Sequence, residues 1–309
     1  MEKIVIIGSS NTDMIIKLSR IPKPGETILG GDFSIAPGGK GANQAVSAAR
    51  AGGNVVFIAR VGDDMFGKQS VEGFRGDSID TGHIITDTTA PSGVALIFVD
   101  KEGENSIAVA SGANANLVPS DITVAKDVIA SAGIVLMQLE IPIETVKTAV
   151  EIAAGSGAKV ILNPAPAQPL SDEILRNITI ITPNETEAEL LTGVKVEDEQ
   201  GAEKAADMLL AKGIKTVIIT LGARGVYVAS PDFRGIIPSF SVKAEDTTAA
   251  GDVFNGVLSV ALAENMNLTE AVRFSNAAAA LSVTKLGAQT SAPYRAGIET
   301  FLKDNTIGK

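Results

Sequence analysis

Six short segments of this chain, "KIVIIG", "VVFIARVG", "IVLMQLE", "KVILNPAP", "ITIITP" and "TVIITLG", are apolar almost without interruption. Runs of that length and character are strands buried on both faces, as in a parallel sheet, and parallel neighbours require a crossover between them. The intervening sequence supplies the crossovers. "GANQAVSAARAG", "DITVAKDVIASAG", "IETVKTAVEIAAGSG", "ETEAELLTG" and "EKAADMLLAKG" read as helices, several closing on glycine as helix C-termini do. The alternation predicts a doubly wound, mostly parallel α/β sheet. Residues 14–35 and 93–111 break it and read as antiparallel strands joined by Pro/Gly or Glu-Gly turns. With no repeat, low-complexity tract or linker elsewhere, residues 1–309 are read as one α/β domain carrying these two segments as a small β-sheet lid.

Composition removes several chemistries. There is no cysteine, which excludes disulfides, thiolate metal sites and cysteine nucleophiles and fits a reducing cytoplasmic setting. The single histidine, His83, cannot build a multi-histidine metal centre and is expected on the surface, between a turn and a short strand. Proton transfer is left to carboxylates or lysines. With no Trp and two Tyr, any purine pocket is expected to be mostly aliphatic. The net charge of −10, without a basic patch, argues against nucleic acid as partner, and a polyanionic substrate such as ATP would have to bring cations with it. No apolar run is long enough to span a membrane, and "MEKIV" has no signal-peptide architecture.

In an open α/β sheet, ligands bind beyond the carboxyl ends of the strands. Following the strands to those ends gives Asn11 and Asp13, then Glu140, then Asn184 and Glu187, then Gly222 and Gly225. Singly each has a plain alternative: Asn184 as a helix cap, Asp13 as a turn residue, Glu140 as a solvated strand end. Together they crowd acid and amide groups onto one rim. The stretch "APGGKGANQAVSAARAG" is neither a Walker loop nor a dinucleotide fingerprint. Its Gly38 and Gly39 lead into a helix whose first turn carries Lys40 and Asn43 on one face, which suits a small polyhydroxylated ligand as well as it suits a plain helix entry.

"DTTAAGDVFNG" places the small residues Ala249, Ala250 and Gly251 and the carboxylate of Asp252 at the start of an apolar helix. Unpaired first-turn N–H groups and the macrodipole make such an end an anion hole. The same dipole is expected to keep Asp252 ionised, ready to take a proton from an attacking hydroxyl. An isolated Asp here would be read as an N-cap.

"GGKGANQA" and "DTTAAGDVFNG" resemble the two signatures of the ribokinase family of sugar kinases, and "MQLEIP", "NPAPA", "ITPNETEAE", "TLGARGV" and "KLGAQTS" follow the family pattern in order along the chain. The resemblance implies a three-layer α/β domain with a β lid, a homodimer clasped through two lids, and transfer of the ATP γ-phosphate to the O5 hydroxyl of D-ribose. It assigns Asn11, Asp13, Gly38, Gly39, Lys40, Asn43 and Glu140 to the sugar and Asp252 to the catalytic base, with Ala249, Ala250 and Gly251 as the anion hole. The nucleotide falls to Asn184, Thr220, Leu221, Gly222, Ala223, Arg224, Gly225, Gly251 and Asn276, with Glu187 tied to Mg²⁺ and phosphate. Ala249 departs from the glycine that many members carry.

Residues 282–291, "SVTKLGAQTS", form a Gly-containing turn that could present carbonyls toward Asp246 and Thr248, a hard-oxygen set suited to a weakly held s-block cation; the plain alternative is a surface hairpin. The family resemblance implies K⁺ at Asp246, Thr248, Ser282, Lys285, Gly287 and Ser291. Other functions stay open from the residues alone: a kinase for another sugar or a nucleoside, or a sugar-binding protein without catalysis. A dehydrogenase is disfavoured because no loop has G-x-G-x-x-G spacing.

Overall fold

The computed structural model describes residues 1–305, so the last four positions of the expected domain lie outside the described residues. Thirteen strands fall into two sheets. The main sheet uses β1 (Lys3–Ile7), β4 (Asn54–Gly62), β5 (Asp80–Asp87), β8 (Ile134–Met137), β9 (Lys159–Leu162), β10 (Ile180–Ile181), β11 (Thr216–Thr220), β12 (Val226–Ala229) and β13 (Arg234–Ile237), in the order β13-β12-β11-β10-β9-β8-β1-β4-β5. From β5 to β11 every pairing is parallel; β12 and β13 extend the edge antiparallel. All six apolar runs are strands of this sheet. Sequence reading passed over β12 and β13 and took β5 for a short strand beginning after His83, which instead lies within β5, half-buried against β4.

The continuous apolarity of the runs has its cause in the two faces of the sheet. Val5 and Ile7 join one core cluster and Ile4 and Ile6 the other; Val135 and Met137 alternate with Ile134 and Leu136 in the same way. A polar residue in these strands would be buried whichever way it pointed. The first face is covered by α3 (Pro119–Val124), α4 (Lys126–Ala130), α5 (Ile143–Gly155), α6 (Asp172–Leu175), α7 (Glu185–Thr192) and α8 (Glu199–Ala211). The second is covered by α1 (Lys40–Arg50), α2 (Met65–Gly76), α9 (Ala250–Ala263), α10 (Leu268–Ser282) and α12 (Arg295–Asp304). The fold is therefore the expected three layers. Among the described residues no helix is long and apolar enough to cross a membrane.

The small sheet contains β2 (Asn11–Lys17), β3 (Asp32–Gly38), β6 (Gly93–Val99) and β7 (Asn105–Ala110) in the order β3-β2-β6-β7. Both expected antiparallel hairpins form, and a parallel pairing of β2 with β6 joins them. The first hairpin begins at Asn11 and ends at Gly38, wider than the 14–35 expected, so Asn11 and Asp13 lie on a strand of the small sheet rather than on a turn. Strand alternation puts Asn11 and Asp13 on one face with Ala95, Ile107 and Val109, and Ile16, Phe33, Ile35, Leu96 and Phe98 on the other.

Candidate active site

Helix α9 starts where the carboxyl ends of the strands converge. Its N-cap residue is Ala249, held left-handed at φ 59°, ψ 12°. That conformation costs an alanine roughly 1 kcal/mol more than a glycine, which accounts physically for glycine being the commoner choice there. The Ala250 N–H turns back to the Thr247 carbonyl at 3.3 Å. The next two, on Gly251 and Asp252, are among the N–H groups for which a helix has no internal acceptor.

Asp252 is the third residue of the helix, and the cap is elsewhere, so the N-cap reading fails. Its side chain is buried, at 5% exposure. Oδ2 accepts a hydrogen bond from Asn43 Nδ2 at 3.0 Å and Oδ1 one from Gln44 Nε2 at 2.9 Å. Burial pushes its pKa upward, while the Lys40 ammonium and those two amides oppose the shift. Beside the helix dipole, desolvation is the largest influence on Asp252, and it makes this carboxylate a stronger proton acceptor than a solvated one.

Lys40 opens α1, and the surrounding carboxylates, Asp252 first, raise its pKa. The α1 entry is tight. Gly39 has φ 88°, and a Cβ there would sit 2.6 Å from the Asn11 backbone nitrogen; a Cβ on Gly38 would strike the Asp13 carboxylate. Only bare backbone lets the lid strand and the helix start approach this closely. Asp13 is pushed up to about 6 by burial and by the neighbouring Glu140 and Asp252 charges, with Lys40 pulling the other way. Glu140 Oε2 accepts from Ser9 Oγ and from the Lys40 N–H at 2.9 Å, so it is bound into the α1 entry and is not a free strand end. Asn11 and Glu140 also border a cavity of about 390 Å³ between lid and rim. Asn43 Oδ1 is buried without a hydrogen-bond partner, an acceptor suited to a ligand hydroxyl.

A larger cavity of about 640 Å³ runs from Lys40 and Asp252 along the helix start to Asn184, Glu187, Thr220, Gly222 and Ala223. Its far wall is Val242, Ala244, Ala279, Ala280 and Val283, with Phe240 the single aromatic lining residue. Asn184 and Glu187 cap α7 reciprocally, each side chain accepting the other's N–H, at 2.8 and 2.9 Å. The cap reading of Asn184 is thus correct, and the residue borders the cavity as well. Burial raises the Glu187 pKa. Four expected nucleotide residues do not line this cavity. Leu221 packs into the core; Arg224 reaches out to Glu185 and the Glu197 carbonyl. Gly225 makes the turn that lies against residues 237–239. Asn276 donates to the Pro238 carbonyl at 3.2 Å, holding the strand end behind Ser239 and Phe240.

Asp246 accepts the Thr248 N–H at 2.9 Å through Oδ1 and the Gly287 N–H at 2.8 Å through Oδ2. Partial burial raises its pKa, but these hydrogen bonds outweigh it and hold the carboxyl below its ordinary value. The Val283 carbonyl accepts from Glu245 and Asp246, stitching the two segments together. The alternative of a hairpin is wrong: α10 ends at Ser282 and α11 (Ala288–Ser291) begins after a turn carrying exposed Lys285. The Ser282 and Ser291 hydroxyls donate to carbonyls of their own helices.

Sequence reading missed Gln44, Asn163, Thr182, Asn255 and Asn114. Each sits in a helix or strand-end run that otherwise reads as packing, so a buried polar residue in an apolar context was the available signal.

Comparison with known proteins agrees with this geometry. Residues 1–295 match the model of the pfkB family carbohydrate kinases. The "Ribokinase" of Haemophilus influenzae is 52% identical over 97% of this chain and 98% of its own length. The "Deoxyribokinase" of Salmonella typhimurium is 37% identical over 96% of this chain and 97% of its own. A solved Arabidopsis thaliana ribokinase complexed with ribose and ATP superposes with TM-score 0.90 at 33% identity, covering 98% of this chain and 99% of that one.

Proposed function

The chain belongs to the pfkB family of carbohydrate kinases, and from that premise we infer that its site transfers the γ-phosphoryl group of ATP to the O5 hydroxyl of D-ribose, giving D-ribose 5-phosphate and ADP. The observation that carries this reading is a buried carboxylate, Asp252, set in the first turn of a helix of small residues where a nucleotide-sized cavity meets a rim of hydroxyl-binding groups. Asp252 takes the O5 proton as O5 attacks the γ-phosphorus; the bond to the β,γ-bridging oxygen breaks and its electrons leave with ADP. The N–H groups of Gly251 and Asp252 and the Lys40 ammonium receive the negative charge that spreads over the transferring oxygens. Asn11, Asp13, Gly38, Gly39, Asn43 and Glu140 hold the sugar. Asn184, Thr220, Gly222 and Ala223 border the nucleotide, whose base lies against the aliphatic wall. A coupled ADP-release assay with a panel of pentoses, hexoses and nucleosides tests the assignment; turnover with a nucleoside above that with D-ribose would reject it.

No group of three or more His, Cys, Asp or Glu able to hold a metal exists among the described residues. A divalent ion would arrive on the nucleotide phosphates, and Glu187, which lines the cavity, would be the carboxylate facing it. Mg²⁺ would supply charge neutralisation there. The hard-oxygen chemistry of the Asp246 turn would suit K⁺: Asp246, held below its ordinary pKa, would give the carboxylate, and Thr248, Ser282, Lys285, Gly287 and Ser291 would supply the other oxygens. Because the same segment runs into residues 249–252, activity is expected to rise when K⁺ replaces tetramethylammonium at constant ionic strength, with Na⁺ less effective. Asp246→Ala removes the response, and equal rates in the two salts would refute the site.

D-Ribose is expected to exceed 2-deoxyribose in kcat/KM by ~10-fold or more, since a site built for a hydroxyl is left with unpaired polar groups without it. Equal values would count against the Asn11 and Asp13 assignment. The lid face bearing Phe33, Ile35 and Leu96, 61%, 53% and 46% exposed, supports a homodimer through the lids. The absence of cysteine supports a cytoplasmic setting.

A further inference from the structure

Behind Asp252 lie two buried amides, Gln44 and Gln138, that border neither cavity and connect it to Asn163 on the wall of the larger one. Gln44 and Gln138 are both 0% exposed. Gln44 uses both Nε2 protons, one to Asp252 Oδ1 at 2.9 Å and one to Asn163 Oδ1 at 3.1 Å. Its Oε1 accepts from Gln138 Nε2. Asn163 is itself oriented, because its Nδ2 donates to the Thr182 carbonyl at 3.2 Å. A reversed Gln44 amide would set its oxygen against a carboxylate and a carbonyl oxygen and its nitrogen against the donor of Gln138. One orientation therefore satisfies the site, and it is enforced from two sides.

On the other side of the helix start, Thr182 Oγ1 donates to Asn255 Oδ1 at 2.6 Å, and Asn255 Nδ2 donates to the Gly251 carbonyl at 2.8 Å. The carboxylate and the backbone of the anion hole are thus tied to one network. Gln138 also leaves its own Oε1 buried and unpartnered, a cost that simple packing would remove by placing an apolar residue there.

We propose that Gln44 is a positioning residue for Asp252 and that Gln138 acts through Gln44, fixing its amide so that it always donates to the carboxylate. The proposal rests on Asp252 being the proton acceptor. In-line transfer needs the accepting lone pair held in place while O5 attacks, and a carboxylate free to turn would lose that alignment. The charged groups facing Asp252 are Lys40 on α1, Glu140 after β8, Asp13 on β2 and Glu187 on α7. None of them is altered by substitutions at Gln44 or Gln138.

The test is a double-mutant cycle of Gln44→Met and Gln138→Met, near-isosteric changes that remove the amides. Gln44→Met is expected to lower kcat ~10-fold with KM for ATP little changed. The acid limb of the kcat profile should move up by about one pH unit, because the charged carboxylate loses a donor. Gln138→Met shifts both in the same sense and by less. In the Gln44→Met background it causes no further loss of kcat and raises Tm, since without Gln44 both polar ends of Gln138 are buried and unpartnered. A wild-type kcat and acid limb in folded Gln44→Met overturns the proposal, as does a Gln138→Met effect on kcat that multiplies in the double variant. Should Gln44→Met not fold, Gln138→Met decides alone: an unmoved acid limb overturns the relay. Near-normal turnover in Asp252→Asn would instead remove the underlying reading of Asp252, so the two failures are distinguishable.

Discussion

Asp252→Asn is expected to lower kcat by ~10²–10⁴, the usual span for a general base, with sugar binding retained. The substitution keeps the volume of a side chain packed at 5% exposure but removes the proton acceptor. The new Nδ2 can face Asn43, whose unpartnered Oδ1 is free to accept it once that amide turns, and the substitution removes a charge whose burial opposes folding. The loss of turnover is therefore expected without a loss of stability at pH 7. ADP release measures the first and thermal melting the second; calorimetric titration with D-ribose separates both from binding. Turnover within a few-fold of the parent would reject the base assignment.

Asp13→Asn is expected to lower kcat/KM for D-ribose by ~10²-fold or more, about what one or two charge-assisted hydrogen bonds contribute. It is also expected to stabilise the protein at pH 7.5. The folded-state pKa of Asp13 is raised to about 6 from 3.8. Its contribution to stability is thus fully present below pH 3.8 and is lost as pH rises through 6. Asparagine avoids that loss, worth on the order of 1–2 kcal/mol after allowance for solvent reaching the site. The Tm advantage of the variant should be small near pH 4 and grow to its full value by pH 7. By the same linkage KM for D-ribose in the parent rises below pH 6, since the hydroxyls bind the charged form. An Asn variant that binds ribose normally, or that gains no stability between pH 4 and 7, contradicts this account.

The sequence was readable where one physical demand dominates. Parallel strands such as β1 and β8 must be apolar on both faces, and the two glycine-rich helix starts must admit something close to the backbone. Reading failed where pairing is tertiary. β12 and β13 are short antiparallel additions whose place depends on β11, and β5 carries polar residues because it is an edge. At the site, Asp13, Lys40, Asn43, Glu140, Glu187 and Asp252 stood out as polar groups at element ends. Gln44, Gln138 and Asn163 did not, because their hydrogen bonds join residues 94, 119 and 208 positions apart. Asn276 is the converse case: a polar residue expected at the nucleotide that holds a loop and does not line the cavity.

Residues 3–17 run through the middle of both sheets: β1 lies between β8 and β4, and β2 lies between β3 and β6. Only Gly8, Ser9 and Ser10 separate the two strands, all buried, and Ser10 is pinned through its N–H to Asn114. During synthesis this segment leaves the ribosome before residues 93–99 and 134–137, which become its neighbours. Two consecutive strands must then wait through the translation of more than a third of the chain before their backbones are matched on both sides. Long-range pairing of this kind slows folding and leaves sticky edges exposed meanwhile. Asn11 and Asp13, the residues proposed to hold the sugar, sit on that waiting segment, so on that proposal a nascent chain cannot hold ribose until its neighbours have been made.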